Sequence, residues 1–310
     1  MQTTDTVLMV RPAAFYANPQ TLQSNTFQKY VENHGNVTHQ AQKAFDQYHT
    51  ALIKSGVNVV VIQDEIINET PDSIFPNNWL TTSIDATIFT YPMEALNRRR
   101  ERRRDILNDL RKNFSVSKHI DLSPFENHGL YFEGTGVLIL DHDHHQAFVC
   151  RSTRSAEKVG EEYARLAGYN LFWFNAVDRH GQAIYHTNVM MSIGKRFAVV
   201  CLESVRDPLE KAALIERLQQ YGKTIIDVTY AQMENFTCNI LELKSKKNQP
   251  VYAMSTRAWN AFTPDQQQQL SSYADIARAS IDIIEDLGGG GARCMLAEIF
   301  LPHLNLSATE

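Results

Sequence analysis

The second half of the chain repeats one pattern of apolar and polar segments three times. Two short apolar runs flank a polar turn, a stretch with helical spacing of apolar positions follows, and another apolar run ends the unit. This pattern predicts a unit of strand, strand, helix and strand. The predicted segments are 137–140, 147–150, 155–167 and 171–174, then 189–193, 197–202, 207–220 and 224–228, then 239–243, 250–254, 264–272 and 279–284.

The first half of the chain is less regular, although its apolar runs still predict strands and a helix. We expect strands at Val7–Val10, Val57–Ile62, Trp79–Thr82 and Ala86–Thr90, and a helix near 38–55. The N-terminal and C-terminal strands together would close a fifth unit. Cys294 would then lie near the seam.

Five residues that each open a short apolar run follow one another at steps of 55, 53, 53 and 55: Asn78, Glu133, His186, Asn239 and Cys294. A fixed period of about 50 residues is typical of propellers and other repeat arrays. We therefore predict an α/β fold, a five-unit pseudo-symmetric α/β propeller in a single domain over residues 1–310. If equivalent strands surround an axis, their first residues meet at one end, which would bring a carboxylate, an imidazole and a thiol together.

Composition and charge restrict the class of protein. The chain has 310 residues, 43% of them hydrophobic, and its four cysteines form no CxxC pair, so a large core and reduced thiols in the cytoplasm are expected. No long apolar run or charged-then-apolar leader suggests a membrane span or export. The net charge of −5 argues against a nucleic-acid partner. The basic run at Arg98–Arg104 is interpreted as the exposed face of a helix.

Cys294 is the best candidate nucleophile. It follows the glycine run 288–291, whose flexible backbone could bring amide N–H groups close to a developing oxyanion. A thiolate needs a lowered pKa, and Arg293 and His186 are the cations that could lower it. Cys150 and Cys201 end strongly apolar strands and are expected to be inert core thiols.

His186 and Glu133 are the candidate partners of the thiol. His186 directly precedes a predicted strand, and Glu133 lies between apolar residues and glycines, where it could be desolvated beside a ligand. The histidine-rich segment Asp141–His145 has the residues of a metal cluster, but it joins two predicted strands. We interpret it as a hairpin tip and predict no metal site.

Three segments carry a resemblance to a known superfamily. Glu133-Gly134, His186-Thr187-Asn188 and 289–295 resemble, in order, the signatures of the guanidine-modifying enzymes, which include arginine deiminase, the amidinotransferases and dimethylarginine dimethylaminohydrolase. The resemblance implies a five-unit α/β propeller of the pentein type. It implies that Cys294 is the nucleophile, His186 the general acid and base, and Glu133 the carboxylate that holds a planar head group. Arg154, in a segment resembling one of the deiminases, would hold the substrate carboxylate.

Two departures from the deiminase pattern concern substrate charge. Asn78 and Asn188 stand where deiminases are expected to have aspartates that clamp a guanidinium. Losing an acidic partner of a buried cation costs about 3–5 kcal/mol, so arginine should bind poorly. An asparagine amide offers both a donor and an acceptor, which suits a neutral ureido group. In this respect the chain resembles the citrulline-utilising hydrolases of the superfamily.

The sequence therefore predicts a cysteine hydrolase that acts on citrulline, or on a close ureido or guanidino amino acid, through a covalent thiol adduct and without a cofactor. Cys294, His186 and Glu133 would form the catalytic set, and the substrate-binding set would be Asn78, Asn188, Arg154 and Arg293. Asn239 is left outside both sets. The alternatives are an arginine deiminase or amidinotransferase, and a non-catalytic amino-acid-binding protein. The sequence does not indicate the oligomeric state.

Overall fold

The described chain folds into five sheets of three strands each. The computed structural model describes residues 1–22, 25, 27–29 and 36–304. The strands are β1 (Thr6–Arg11), β2 (Asn58–Gln63), β3 (Leu80–Thr82), β4 (Thr87–Thr90), β5 (Lys118–Asp121), β6 (Ile139–Asp141), β7 (Gln146–Cys150), β8 (Asn170–Phe174), β9 (Met191–Ile193), β10 (Phe197–Val200), β11 (Thr224–Asp227), β12 (Leu241–Lys244), β13 (Pro250–Ser255), β14 (Asp275–Ala279) and β15 (Ala297–Glu298).

Helices connect the strands. They are α1 (Val37–Lys54), α2 (Arg104–Asn113), α3 (Gly134–Val137), α4 (Glu157–Ala167), α5 (Pro208–Gln220), α6 (Tyr230–Met233), α7 (Thr256–Ala261), α8 (Pro264–Ser271) and α9 (Asp282–Gly288). The described part of the chain contains no helix with the length and apolar character needed to cross a membrane.

All five sheets have the same topology. In four of them a short first strand pairs antiparallel with the second strand, which pairs parallel with the third; these sheets are β3-β4-β5, β6-β7-β8, β9-β10-β11 and β12-β13-β14. The fifth sheet, β15-β1-β2, has the same pattern, with Val7 opposite Glu298. The predicted joining of the N-terminal and C-terminal strands is therefore confirmed, as is the α/β class.

Local sequence accounts for the main helices. In α1 the buried residues recur every three or four positions, which gives one apolar stripe along the helix: Val37, Ala41, Ala44, Phe45, Tyr48 and Leu52. The start of α5 is fixed by Asp207, whose side chain accepts hydrogen bonds from the amides of Leu209 and Glu210, and by Pro208 in the first turn.

Two expectations about elements were wrong or incomplete. The predicted strand at 279–284 is instead the end of β14 followed by α9. A short apolar run cannot be assigned to strand or helix by its spacing alone. The strand β5 was not predicted, because its residues are largely exposed and polar and show no apolar alternation.

Of the two polar segments singled out in the sequence, one has the predicted structure and the other does not. Asp141–His145 does include the turn between β6 and β7, as predicted for a hairpin tip. No group of three metal-ligating residues is found in the described ranges. The Arg98–Arg104 run is not a uniformly exposed face, because Arg98 and Glu101 are buried and form an ion pair.

Single helical turns before the first strand of a sheet bring the predicted site residues together. Asn78 ends the turn Pro76–Asn78, Glu133 and His186 immediately precede the turns of α3 and Thr187–Val189, and Cys294 lies in the turn 292–295. The turn of Asn78 contacts α3 and the turn of Cys294, and α3 also contacts the turn after His186. Four sequence-distant turns therefore meet at one place.

Candidate active site

A cavity lies where these turns meet. The cavity itself has a volume of only about 20 Å³, and the space between its walls is about 300 Å³ when solvent at its mouth is included. Both Cys294 and His186 line it, as the sequence predicted. The lining residues are Thr21, Asn25, Asp72, Phe75, Asn78, Arg98, Arg154, Tyr185, His186, Gly288, Gly289, Gly290 and Cys294.

The sulfur of Cys294 is held by two side-chain amides. The Nδ2 atom of Asn188 lies 3.4 Å from Sγ and that of Asn239 lies 3.3 Å from it. The thiol is only 5% exposed. Burial raises the pKa of Cys294, and hydrogen bonds from Asn239 and Asn188 and the charge of Arg293 oppose that shift only in part. The resting thiol is therefore protonated at neutral pH.

Arg293 does not line the cavity. Its guanidinium donates to the carbonyl of Leu296 at 2.9 Å and to Oε2 of Glu298 at 2.7 Å. Its backbone N–H donates to Oδ1 of Asn239 at 3.0 Å. The expectation that the Arg293 side chain contacts substrate is therefore not supported by its direction, since an ion pair engages its charge elsewhere.

Glu133 is buried and holds the imidazole of His186. Its Oε2 atom lies 2.7 Å from Nε2 of His186 and 3.3 Å from Nη1 of Arg154, and its Oε1 accepts from the amide of Glu94 at 3.0 Å. Burial would raise the pKa of Glu133, but the charge of Arg154 and the hydrogen bond of His186 outweigh it and keep the pKa well below its usual value. Glu133 is thus an anion that lies outside the cavity lining and contacts His186.

His186 is neutral at physiological pH. Burial is the largest effect on it and lowers its pKa to about 4, despite the opposing hydrogen bond to Glu133. Because an ionised Glu133 can only accept, Nε2 of His186 carries the proton and Nδ1 is the basic nitrogen. The lowered pKa does not support the expectation that an imidazolium lowers the pKa of the resting thiol.

Asn78 and His186 approach each other over Gly136. A Cβ atom on Gly136 would lie 2.7 Å from Nδ2 of Asn78 and 2.8 Å from Nδ1 and Cε1 of His186, so a larger residue would clash. Nη1 of Arg98 donates to Oδ1 of Asn78 at 2.8 Å. This bond fixes the amide orientation, and Nδ2 of Asn78 has no hydrogen-bond partner among the described residues.

Arg98 belongs to a buried ionic network that the sequence did not reveal. Its guanidinium pairs with both oxygens of Glu101 at 2.8 and 2.9 Å and lies 3.7 Å from Oδ2 of Asp72. Burial and nearby carboxylates raise the pKa of Glu101 to about 7, and burial raises the pKa of Asp72. Oδ1 of Asp72 finds no partner in the part of the chain that the structure describes.

Arg154 lines the cavity as expected, in a firmly bonded position. Its Nε donates to Oε2 of Glu94 at 3.1 Å, its Nη1 to Glu133, and its guanidinium carbon lies 5.0 Å from the centre of the Tyr185 ring. The hydroxyl of Tyr185 donates to the carbonyl of Gly289 at 2.8 Å. Arg154 thus connects Glu133 with the glycine run before the thiol.

The sequence motifs indicate Glu133, His186 and Cys294 but not the side chains that bond to them. Arg98 and Glu101 are three residues apart, a spacing that permits an ion pair on one helical turn, but their neighbours have the same composition. Asp72 carries no sequence signal. Asn239 carries the signal of the repeat but belongs to no motif, and its amide contacts the sulfur.

The sheets repeat one three-stranded topology, Cys294 and His186 line the same cavity, and Glu133 is bonded to His186. Together these features define a member of the guanidine-modifying, or amidinotransferase, superfamily of enzymes. The profile of the family described as "N,N dimethylarginine dimethylhydrolase, eukaryotic" matches residues 11–301, and the chain belongs to this family. No curated protein sequence matches the chain.

Several solved structures are similar in fold. The product-bound N-terminal domain of ArgZ, an arginine dihydrolase of the ornithine-ammonia cycle in cyanobacteria, has a TM-score of 0.73 at 13% identity, covering 96% of this chain and 98% of that domain. A dimethylarginine dimethylaminohydrolase adduct with S-methyl-L-thiocitrulline has a TM-score of 0.66 at 11% identity, covering 96% and 100%. The chain spans only 41% of the longer ArgZ protein.

Proposed function

We propose that the protein is a cysteine-dependent hydrolase that cleaves the ureido group of citrulline, or of a closely related amino acid, to release ornithine. The observation that carries this proposal is the fixed orientation of Asn78, whose donor atom Nδ2 is left without a partner among the described residues. The profile match to a family of dimethylarginine hydrolases supports the broader assignment to C–N bond hydrolysis.

The amide orientation favours a ureido head group over a guanidinium. A guanidinium presents N–H donors only, so it leaves Nδ2 of Asn78 unsatisfied, whereas a ureido oxygen accepts from it. A buried donor without a partner costs about 1–3 kcal/mol. The charge of Arg98, bonded to the same amide, would also repel a guanidinium. Asn188 does not line the cavity, so its expected contact with substrate has no support, and its amide contacts the sulfur of Cys294 instead.

The charged side of the cavity suits the amino-acid end of such a substrate. Arg154 is the lining cation that can bind an α-carboxylate, because Arg98 is bonded to Asn78 at the head-group end. Oδ1 of Asp72 is the acceptor available to an α-ammonium group. In this arrangement the substrate lies with its neutral head group between Asn78 and Cys294.

The first half of the reaction transfers the carbamoyl group to sulfur. Nδ1 of His186 takes the thiol proton, and Sγ of Cys294 attacks the ureido carbon. Backbone amides of the glycine run stabilise the oxyanion. The bond to the side-chain nitrogen then breaks, His186 returns the proton to that nitrogen, and ornithine leaves a thiocarbamate on Cys294.

Water completes the cycle. His186 takes a proton from a water molecule, which attacks the thiocarbamate carbon, and the sulfur leaves and regains a proton. The released carbamate decays to ammonia and carbon dioxide. Glu133 keeps the imidazole in the tautomer that both steps need, because its carboxylate accepts the Nε2 hydrogen. No cofactor or metal takes part in this scheme.

Incubation with citrulline and with arginine, in separate assays for ornithine, citrulline and ammonia, tests the proposal. We expect ornithine and ammonia in equal amounts from citrulline. Cys294→Ser should abolish turnover, whereas Cys150→Ser, a change at a buried thiol outside the cavity, should retain it. Absence of ornithine from citrulline, with citrulline formed from arginine, would identify a deiminase instead.

One observation favours a second candidate, hydrolysis of a guanidino substrate such as arginine. Asp72 presents an unpartnered carboxylate oxygen to the cavity, and a carboxylate suits a guanidinium. Ornithine with two equivalents of ammonia from arginine would support this candidate. A non-catalytic amino-acid-binding protein would turn over neither compound, and its Cys294→Ser variant would bind each compound as tightly as the wild-type protein does.

We further propose that the five sheets surround one axis as a five-unit propeller in a single domain. Contacts of the first strands β15 with β3, β6 with β9, and β9 with β12 support this arrangement. We propose a cytoplasmic location, which suits four unpaired cysteines. The proposed partner is a small amino-acid substrate, with no role for nucleic acid or membrane.

A further inference from the structure

The residue at the fourth repeat position, Asn239, contacts the reacting atom of the site. Its Nδ2 atom lies 3.3 Å from Sγ of Cys294, and Oδ1 lies 3.6 Å from the same sulfur. The residue is 2% exposed. No role follows for Asn239 from the sequence motifs, since they cover Glu133, His186 and Cys294.

Three bonds fix the orientation of the Asn239 amide. Oδ1 accepts from the backbone N–H of Arg293 at 3.0 Å, so the oxygen and nitrogen ends cannot exchange without loss of this bond. Nδ2 donates to the carbonyl of Asn188 at 3.0 Å as well as to the sulfur. Gly291 permits the approach, because a Cβ atom there would lie 2.8 Å from Oδ1 of Asn239.

The charged groups near the sulfur do not offer it a close cation. Arg293 is paired with Glu298, and His186 is neutral because burial lowers its pKa. Tyr48 and Tyr185 have hydroxyls bonded to backbone carbonyls, and burial raises both pKa values far above neutrality.

The remaining cations are already paired. Arg98 is bound to Glu101, and Arg154 to Glu133 and Glu94. The side-chain N–H groups of Asn188 and Asn239 therefore lie directly at the sulfur, and a backbone hydrogen bond of Gly291 acts on it as well.

We propose that Asn239 is a catalytic residue that, together with Asn188, stabilises the anionic sulfur of Cys294 through side-chain N–H groups. Neutral donors suit this task, since they favour the thiolate without attracting the carboxylate end of a substrate to the sulfur. They also stabilise the sulfur each time it leaves a covalent intermediate. This inference rests on the proposed role of Cys294 as nucleophile.

The pH dependence of alkylation by iodoacetamide tests the inference without any substrate. Cys294→Ser supplies the background of the other three buried thiols. We expect Asn239→Ala to move the midpoint of Cys294 alkylation upward by about one pH unit, which slows the reaction about tenfold at neutral pH. The rate at high pH should not change, because it reports access to the sulfur.

Two further variants keep the test decisive. Asn239→Asp, which places a carboxylate oxygen at the sulfur, should raise the midpoint more than alanine does. Asn188→Ala removes the second donor from a different turn and should also raise it, so it replaces Asn239→Ala if that variant does not fold. Thr237→Val, at a buried residue two positions from Asn239 with no bond to the sulfur, is the matched control.

The outcomes separate this inference from the proposed function. An unchanged midpoint in Asn239→Ala, with a lower melting temperature than Thr237→Val, would show that Asn239 only supports its loop and would overturn the inference. Raised midpoints in both asparagine variants would support it, whatever substrate the enzyme turns over. Absence of citrulline turnover by the wild-type protein would instead count against the proposed function alone.

Discussion

The residues around the cavity form two groups, an ionic side and a neutral side, which differ in whether their side chains are charged. One side carries Arg98, Arg154 and Asp72, with Glu101 and Glu133 behind them, and nearly every charge is paired. The side around Cys294 has neutral amides, a neutral imidazole and glycines. The ionic side can hold the charged end of an amino acid, while the neutral side can perform chemistry on an uncharged head group.

This difference has an energetic consequence. Breaking a buried ion pair leaves an unpaired charge and costs several kcal/mol, whereas losing a hydrogen bond between neutral groups costs about 1 kcal/mol. Changes on the ionic side should therefore act first on stability. Changes on the neutral side should act first on catalysis and on the choice of substrate.

Glu133→Gln should cause the largest loss of stability, about 3–5 kcal/mol in the free energy of unfolding. The change leaves Arg154 with a weaker partner and removes the charge that His186 contacts. Urea denaturation followed by circular dichroism measures the loss. The matched control is Glu157→Gln, in an exposed pair with Arg151, which should cost less than about 1 kcal/mol. Equal losses of unfolding free energy in the two variants would show that the buried ion pairs of the ionic side do not stabilise the fold more than an exposed pair does.

His186 should make stability depend on pH between about 4 and 6.5. Its pKa is lowered to about 4, so in this window the unfolded chain binds more protons than the folded chain. Stability from this group is therefore complete above pH 6.5 and is lost as the pH falls toward 4. A shift of this size corresponds to about 3 kcal/mol at about 1.36 kcal/mol per unit.

The comparison of wild type with His186→Gln isolates that effect. Glu101, with a pKa raised to about 7, acts in the opposite direction in the same window, but it does so in both proteins and cancels in the difference. The difference in unfolding free energy should shrink as the pH is lowered from 6.5 to 4. A difference that does not vary with pH would mean that His186 is not buried in its neutral form.

Asn78→Asp should change substrate preference by about 2 kcal/mol, or about 30-fold, in favour of a guanidino compound over citrulline. The substitution replaces the unpartnered donor with an acceptor and keeps an oxygen for Arg98. The ratio of kcat/KM for arginine and citrulline measures the change. Asn248→Asp, the same chemical change in an exposed turn, should leave the ratio as it is. An unchanged ratio in Asn78→Asp would remove the orientation argument for a ureido substrate.

The repeat of apolar runs was enough to predict most of the strands and the positions of the chemically active residues. It predicted α4 within two residues at its start and α5 within one. It also predicted that His186 and Cys294 share one cavity, and Glu133 contacts His186 from outside the lining. These predictions worked because the core face of each strand and helix leaves a periodic apolar signal. The motifs then supplied the chemical roles.

The partners of those residues could not be predicted, because burial of a charge depends on distant segments. Arg98 has the same local composition as Arg99 and Arg100, and only contacts with Glu101, Asp72 and the carbonyl of Phe75 distinguish it. The direction of the Arg293 side chain could not be predicted either, because it depends on an ion pair with Glu298. Glu298 lies four residues past Cys294 in an apolar segment that predicts only a strand. A polar side chain in a core leaves no periodicity to detect.

Glu298→Gln should have the smallest effect and tests whether the side around the sulfur is neutral in practice. The change weakens the ion pair of Arg293 but leaves its bonds to Leu296 and Asn239. Because Glu298 is partly exposed, we expect a stability loss of about 1 kcal/mol and a change in citrulline turnover below about twofold. Steady-state kinetics and thermal unfolding measure both. A tenfold change in turnover would mean that the charge of Arg293, and not the neutral donors, controls the sulfur, and the contrast between an ionic and a neutral side would then fail.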